Sequence, residues 1–560
     1  MTEDTSNSEI ELNVRGMTCD SCALHVTKAL QSVPGVKNAI VLGWESGKAT
    51  VLASPELDPE ALTAAVARAG YSASVRETHS LSTPATEAKT TPKGEHNFDL
   101  MVIGGGSAGF AAAIKASEMG FRVGIVNGGT LGGTCVNIGC VPSKALIRAM
   151  ESFHQAGQRR FKGIQTISGQ LNWGQVIAHK DELVEELRQS KYVDVLASYP
   201  DITLIEGYAR ILPDHTVEVG GKSYSYRKLV LATGASPWAP PIPGLAETPY
   251  LSSTTALELN ELPRSMIVLG ANAVGLELAQ VYARAGVQVT VLELLPHIAP
   301  FEDEQISRAL ADELRGEGLQ LVTGFNTQEV AFQNNRFTLT GRAGDAQMTY
   351  SAEQLLVAAG RRPNTANLGL EEAGVSLGKR GEVIVNQYMQ TNLPDVYAAG
   401  DVTGRDMFVY VAAYAGQLAA ENALADSGRV YDAAYIPRVT FTDPQVASAG
   451  LTESQAREQG YEIKVSALPM EYVPRALAAR DRRGLVKLVV NAANDQILGA
   501  HILAPEAGEM IQTAVLAIRF GITARQLRET MFPYLTNAEG LKLAVLGLEK
   551  DVSQLSCCAG

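Results

Sequence analysis

Residues 10–14 alternate apolar and polar, with Ile10, Leu12 and Val14 on one face and Glu11 and Asn13 on the other. A period of two predicts a strand with one buried side. Stretches 39–42, 48–53 and 72–76 predict three more strands, and 21–32 and 59–69 predict helices, so residues 10–75 form a small α/β unit. From 77 to 96 Ser, Thr, Pro, Lys and Glu dominate, which is the composition of a solvated linker. Beyond it the pattern changes. Residues 99–103 are an apolar run after Asp99, as a fully buried strand requires. A glycine-rich turn, an apolar helix to residue 119 and a strand at 122–126 follow. The same order of strand, turn, helix and strand returns at 265–269, 270–275, up to 285, and 288–292. Residues 140–230 read as mostly helical, and 436–548 mix strands with a long helix at 507–519.

Bulk properties narrow the function classes. A chain of 560 residues predicts three or four domains, and 46% apolar residues suffice for their cores. A net charge of -13 argues against nucleic acid as the main partner. Residues 1–10 are acidic and polar, unlike a secretory signal, and no apolar run reaches membrane-spanning length. Neither stable membrane insertion nor export is expected, and in the cytoplasm structural disulfides are unusual. All six cysteines nevertheless fall in close pairs: Cys19 with Cys22, Cys135 with Cys140, and Cys557 with Cys558. Core thiols would be scattered singly, so the pairing predicts metal or redox chemistry at three places.

Each pair has its own setting. Cys135 and Cys140 sit among Gly132, Gly133 and Gly139 and precede Pro142 and Lys144. Glycine permits close approach of backbone to a flat cofactor, and two cysteines at this spacing can close a small, reducible disulfide. Cys19 and Cys22 open the first predicted helix, whose N-terminus favours thiolates. Two thiolates alone suit a low-coordinate soft ion such as Hg(II) or Cu(I) better than four-coordinate zinc. A thioredoxin-like pair is the alternative, but no active-site tryptophan or proline flanks it. The turn Gly104, Gly106, Gly109 has complete Gly-x-Gly-x-x-Gly spacing and can bring amides and a helix dipole to a pyrophosphate. About twenty residues on, where an acid usually holds a ribose hydroxyl, stands Asn127. The second turn keeps Gly270 and Gly275 but has Asn272 in the middle, and Glu293 ends its following strand. A carboxylate there accepts from a 2′-hydroxyl and repels a 2′-phosphate, so NADH is favoured over NADPH.

Together these motifs resemble the flavin-dependent disulfide reductase family, and residues 16–22 resemble the metal-binding loop of the heavy-metal-associated domain. The resemblance implies two Rossmann-like domains, for FAD and NAD(P), and an α+β dimerisation domain, preceded by a βαββαβ ferredoxin-like module. The implied boundaries are 1–76 for the metal module, 77–96 linker and 97–262 FAD domain. There follow 263–381 for NAD(P), 382–435 returning to the FAD domain, 436–548 for dimerisation and 549–560 for a Cys-Cys tail. FAD would lie on Gly104, Gly106, Ser107, Ala108, Gly109, Asn127, Gly133 and Thr134, with Thr233, Gly234 and Gly360 at strand-end turns. Asp401 would bind the ribityl and pyrophosphate region. Lys144 would lie beside the flavin ring with Glu277 as its partner, and Gly270, Gly275 and Glu293 would serve the nicotinamide nucleotide. Cys140 would face the flavin and Cys135 the incoming ligand.

Family members that reduce thiol substrates carry a histidine in the dimerisation domain, a general acid for the departing thiolate. Here Tyr534 holds that position, while Thr536 and Glu539 remain. The order of metal module, linker, flavoprotein core and vicinal C-terminal thiols resembles the mercuric reductase branch of the family. That branch implies Hg(II)–thiol complexes as substrate, two-electron reduction to Hg(0), and a homodimer whose active site is shared between subunits. Cys19 and Cys22 would capture the ion, with handover from a mercury transporter as one source. Cys557 and Cys558 would pass it to Cys135 and Cys140, with Tyr192 and Tyr534 positioning it. The rival readings are a thiol-disulfide oxidoreductase of the dihydrolipoamide dehydrogenase or glutathione reductase type, and a non-enzymatic metal carrier.

Overall fold

The computed structural model describes residues 7–17, 20–41, 47–54, 56–81 and 96–554. Cys19, most of the linker, Cys557 and Cys558 lie outside the described residues. The chain divides into two compact units at 95/96.

The first unit runs β1 (Asn7–Arg15), α1 (Asp20–Gln31), β2 (Val36–Val41), β3 (Lys48–Ala53), α2 (Pro59–Arg68) and β4 (Ser72–Leu81). Its antiparallel sheet has the order β2-β3-β1-β4. The period-two face of Ile10, Leu12 and Val14 is buried beneath Val26 and Leu30 of α1 and Leu62 and Val66 of α2. Asp58 caps α2 by accepting from the Glu60 amide, and Pro59 occupies its first turn, where a missing amide costs nothing. One expectation is corrected. The polar stretch from Glu77 does not begin as linker, because β4 continues to Leu81 in register with Asn7. The edge of β1 offers backbone partners whatever the side-chain composition.

The second unit opens with β5 (Phe98–Ile103), α3 (Ser107–Glu118), β6 (Val123–Asn127), α4 (Gly133–Ile138), α5 (Cys140–Gly157) and α6 (Trp173–Arg188). A π-helical turn, Gln189–Val193, joins α6 to α7 (Asp194–Ala197). Then come β7 (Ile202–Glu206), β8 (Ala209–Leu212), β9 (Thr216–Val219) and β10 (Lys222–Leu231). Residues 140–230 are therefore helical only to Ala197; the last thirty or so belong to sheet, contrary to the sequence reading. Short apolar runs such as Ile202, Leu204 and Ile205 suit either element, and parallel pairing of β7 with β6 decides for strand. The sheet order is β7-β6-β5-β10-β9-β8, with the strand Val396–Ala398 added on β10.

The second nucleotide domain is a five-stranded parallel sheet built around Ser265–Leu269 and Gln288–Leu292, with the helix Ala273–Arg284 between them. The C-terminal region is a five-stranded antiparallel sheet covered by the helix Ala507–Arg519. A buried polar cluster ties it to the nucleotide helix. Arg284 pairs with Asp443 at 2.9 Å and with Glu317 at 2.6 Å, and Arg483 pairs with Asp443 and Asp481 at 2.7 Å each. Gln280 donates to the Asp443 carbonyl and accepts from its amide. Each charge is compensated, so removing one partner would strand the others at a cost of about 3–5 kcal/mol.

Candidate active site

Two glycines place the redox loop. Gly132 and Gly133 have φ of +96° and +64°, conformations that favour residues without a Cβ. A Cβ on Gly133 would stand 2.7 Å from the Gly106 Cα, so the loop lies directly on the dinucleotide turn. Asn137 locks it there: its Nδ2 donates to the Leu131 and Gly133 carbonyls, 2.9 Å each, and its Oδ1 accepts from Arg188 of α6 at 3.2 Å. Cys135 sits on α4 and Cys140 opens α5, both free thiols and both part-buried.

The pair is electrically asymmetric. A hydrogen bond from Cys135 outweighs burial and, helped by the charge of Lys144, lowers Cys140 to about 7. The same bond, with burial, raises Cys135. Near neutral pH Cys140 is thus about half thiolate, held by a thiol at Cys135. Lys144, one turn along α5, lies 2.7 Å from Glu277 Oε2 and 4.6 Å from the Phe441 ring centroid. Glu277 accepts the Phe441 amide with its other oxygen at 2.8 Å. Three domains therefore fix one lysine. The sequence reading found Lys144 and Glu277 but missed Phe441, whose contact spans 164 positions and leaves no local signal.

Tyr192 reaches the same place. It lies in the π-helical turn, which rotates its ring inward onto Phe110, edge-on at 4.8 Å between centroids. The ring passes 3.2 Å from where a Cβ of Gly132 would be, and the phenol is hydrogen-bonded to Ser107. Burial raises its pKa, and negative charge on the neighbouring redox pair adds to the rise. Tyr534 is half exposed on a turn of the C-terminal region. In that turn Thr536 donates to the Pro533 carbonyl, and at the start of the helix that follows one Glu539 carboxylate oxygen is buried without a partner among the described residues.

Of the other two cysteine pairs only Cys22 is described. Cys22 is part-buried against the core of the first unit, and its expected co-ligand Cys19 lies outside the described residues. Cys557 and Cys558, expected as metal ligands and as the relay to Cys135 and Cys140, also lie outside the described residues. The structure therefore places only one of the three expected thiol pairs, Cys135 and Cys140.

The residues expected to hold FAD fit it. Gly104 has φ +120°, and any Cβ on it or on Gly109 would collide with a backbone carbonyl. Gly106 caps α3 without a side chain, leaving the first amides of the helix open to a phosphate. Ala108 packs against Gly400 and Gly416, so the helix sits close to the strand-end turn that carries Asp401. Burial raises Asp401 while Arg361, 3.7 Å away, pulls it down. Thr233 donates to the Asn364 carbonyl at 2.7 Å, and Gly234 and Gly360 take φ of +71° and +125° at the paired turns. Thr134 packs its backbone and methyl group under Gly139, the joint between α4 and α5.

At the second turn Gly270 has φ +106° and Gly275 packs on the Gly270 carbonyl, as in the first. Glu293 departs from expectation. Its carboxylate is buried and accepts from the Ala271 amide at 2.7 Å and the Leu295 amide at 2.9 Å, rather than standing open for a ribose. Both amides lack a backbone acceptor, and a buried donor must be satisfied.

The family model described as pyridine nucleotide-disulphide oxidoreductase matches residues 98–416, its dimerisation domain 436–545, and the heavy-metal-associated domain 11–72. A curated mercuric reductase from Staphylococcus aureus is 43% identical over 559 residues, covering 99% of this chain and all of that protein. One from Streptomyces lividans is 45% identical over 83% of this chain and 98% of its own length. Among solved structures, the HOCl-induced flavoprotein disulfide reductase RclA from Escherichia coli matches with a TM-score of 0.72 and 31% identity. That match covers 80% of this chain and 99% of RclA.

Proposed function

The chain belongs to the pyridine nucleotide-disulphide oxidoreductase family, and from that membership we propose that it is a mercury(II) reductase dependent on FAD and NAD(P)H. The observation that carries the reading is the Cys135/Cys140 pair, half ionised near neutral pH and held within reach of Tyr192. A thiolate beside a second thiol closes readily on Hg(II), which prefers two sulfur ligands in near-linear geometry. Bound FAD supplies the path by which a hydride from the nicotinamide becomes two electrons at this pair. Overall, NAD(P)H and Hg(II) give NAD(P)+, a proton and Hg(0). No thiol leaves, so no acid is needed, and Tyr534 in place of a histidine fits this chemistry better than disulfide reduction.

The protein's own groups have distinct tasks. Lys144, held by Glu277, stabilises the Cys140 thiolate; Cys135 accepts the incoming ion; Tyr192 and Tyr534 position it. Cys19 and Cys22 capture Hg(II), from a transporter or from small thiols, and Cys557 and Cys558 relay it by ligand exchange into the partner subunit's site. The match to the family's dimerisation domain supports a homodimer, and no helix among the described residues is long and apolar enough to cross a membrane. We place it in the cytoplasm. NADH is the preferred donor: segments 270–275 and 293–303 contain no Lys or Arg to hold a 2′-phosphate, and Glu293 at the strand end would repel one.

The test is nicotinamide oxidation with Hg(II) in excess small thiol, with mercury vapour trapped from the headspace. Oxidation matched by trapped Hg(0), and abolished by Cys135→Ala, is expected. Oxidation without mercury release, or turnover that survives Cys135→Ala, would sink the reading. Run in parallel, NADH should exceed NADPH in kcat/KM by about tenfold or more, a difference of about 1.4 kcal/mol.

A further inference from the structure

The end of β6 leaves the adenosine half of the flavin site without its usual carboxylate. Asn127 stands there, and its side chain is turned into its own loop. Nδ2 donates to the Gly129 carbonyl at 2.6 Å, and Oδ1 lies 2.8 Å from where a Cβ on Gly105 would be. A neutral amide so engaged is a weak acceptor for ribose hydroxyls compared with a carboxylate.

The neighbouring strand supplies what is missing. β7 pairs with β6 in parallel, and its register sets Glu206 beside Asn127, both at the carboxyl ends of their strands, where open α/β sheets bind ligands. A cleft of about 780 Å³ opens at this edge. Ile202, Leu204 and Glu206, alternate residues of β7, all line it, so the Glu206 side chain shares the face that looks into the cleft. Apart from Asn127 the remaining walls are apolar or glycine, among them Leu131, Val193 and Gly129, and Glu206 is the one charged group lining it among the described residues. It is exposed, and its carboxylate has no hydrogen-bond or ion-pair partner among the described residues. Gly128 and Gly129 put no side chain between Asn127 and the cleft. An apolar slot with a single uncommitted carboxylate at its edge matches adenosine, a flat base joined to a sugar with two vicinal hydroxyl donors.

We propose that Glu206, at the end of β7, supplies the carboxylate that holds the adenosine ribose hydroxyls of FAD, in place of the acid absent from the end of β6. This rests on the flavin reading above, and the experiment separates the two. Apoprotein of the full chain is prepared from wild type and from Glu206→Gln, Asn127→Ala and Glu206→Gln/Asn127→Asp, and FAD binding is followed by flavin fluorescence. Glu206→Gln should raise the Kd by about tenfold or more, as loss of a charged hydrogen bond does. Its apoprotein should melt as wild type does, and Asn127→Ala should have the smaller effect. Adding Asn127→Asp should recover most of the loss, because it restores an acid one strand away. Wild-type protein that binds FAD while Glu206→Gln binds it equally well would overturn the proposal and leave the flavin reading intact. Wild-type protein that binds no FAD would overturn both.

Discussion

The two dinucleotide turns make the same backbone shape from different residues. The middle position of the first is Gly106, at φ −93° and ψ −173°; that of the second is Asn272, at φ −96° and ψ −175°. Both are extended conformations open to any residue, so the incomplete second motif costs the turn nothing. The outer glycines are different. Gly104 and Gly270 have positive φ, and Gly109 and Gly275 each pack on the carbonyl of the glycine that opens their turn. Beyond the helices, each 12 residues long, the turns diverge. Asn127 spends its amide within its own loop, whereas Glu293 ties its strand end to two loops at once through Ala271 and Leu295. The strand-end polar residue satisfies the backbone before it serves a ligand, and which ligand contact remains depends on its neighbours.

The sharpest way to break this comparison is to add one methyl group to each turn. Gly109→Ala and Gly275→Ala both drive a Cβ into a carbonyl oxygen, and each should lose its own nucleotide at a cost above about 4 kcal/mol. Gly109→Ala should purify colourless. Gly275→Ala should keep its flavin spectrum yet show no flavin bleaching on anaerobic addition of NADH; loss of flavin there as well would mean the two turns are not independent. A smaller effect is expected from Glu293→Ala, which leaves two buried amides unpaired. Urea unfolding should show about 2–4 kcal/mol of lost stability, and the preference for NADH over NADPH should shrink. Unchanged stability would remove the capping role. The smallest belongs to Asn272→Gly. Its nicotinamide KM should stay within about twofold, with stability lowered by about 0.5–1 kcal/mol through unfolded-state entropy. A large gain in affinity would show that the asparagine obstructs the site.

The chemistry of this chain is unusually legible one-dimensionally because it depends on short spacings. Cys135 and Cys140 stand five apart on consecutive helices, Lys144 follows one turn later, and the outer glycines mark turns that no other residue can make. Local geometry follows from local sequence there. The strands from Ile202 to Leu231 were not legible, since short apolar runs acquire their identity only from a pairing partner.

Three residues show what needed the folded molecule. Glu293 follows its strand directly, but its carboxylate is turned toward amides that only the assembled loops leave unpaired. Phe441 orients Glu277 and lies over Lys144 from another domain. Glu206 reaches its cleft because β7 lies beside β6, 79 positions from Asn127 in sequence and next to it in register. The sequence by itself determined the turns, the redox pair and its lysine, because backbone sterics and helix periodicity act over a few residues. The tertiary structure alone decided which polar groups are used up in holding the fold and which are left to meet a ligand, because hydrogen-bond satisfaction is settled among residues distant in the chain.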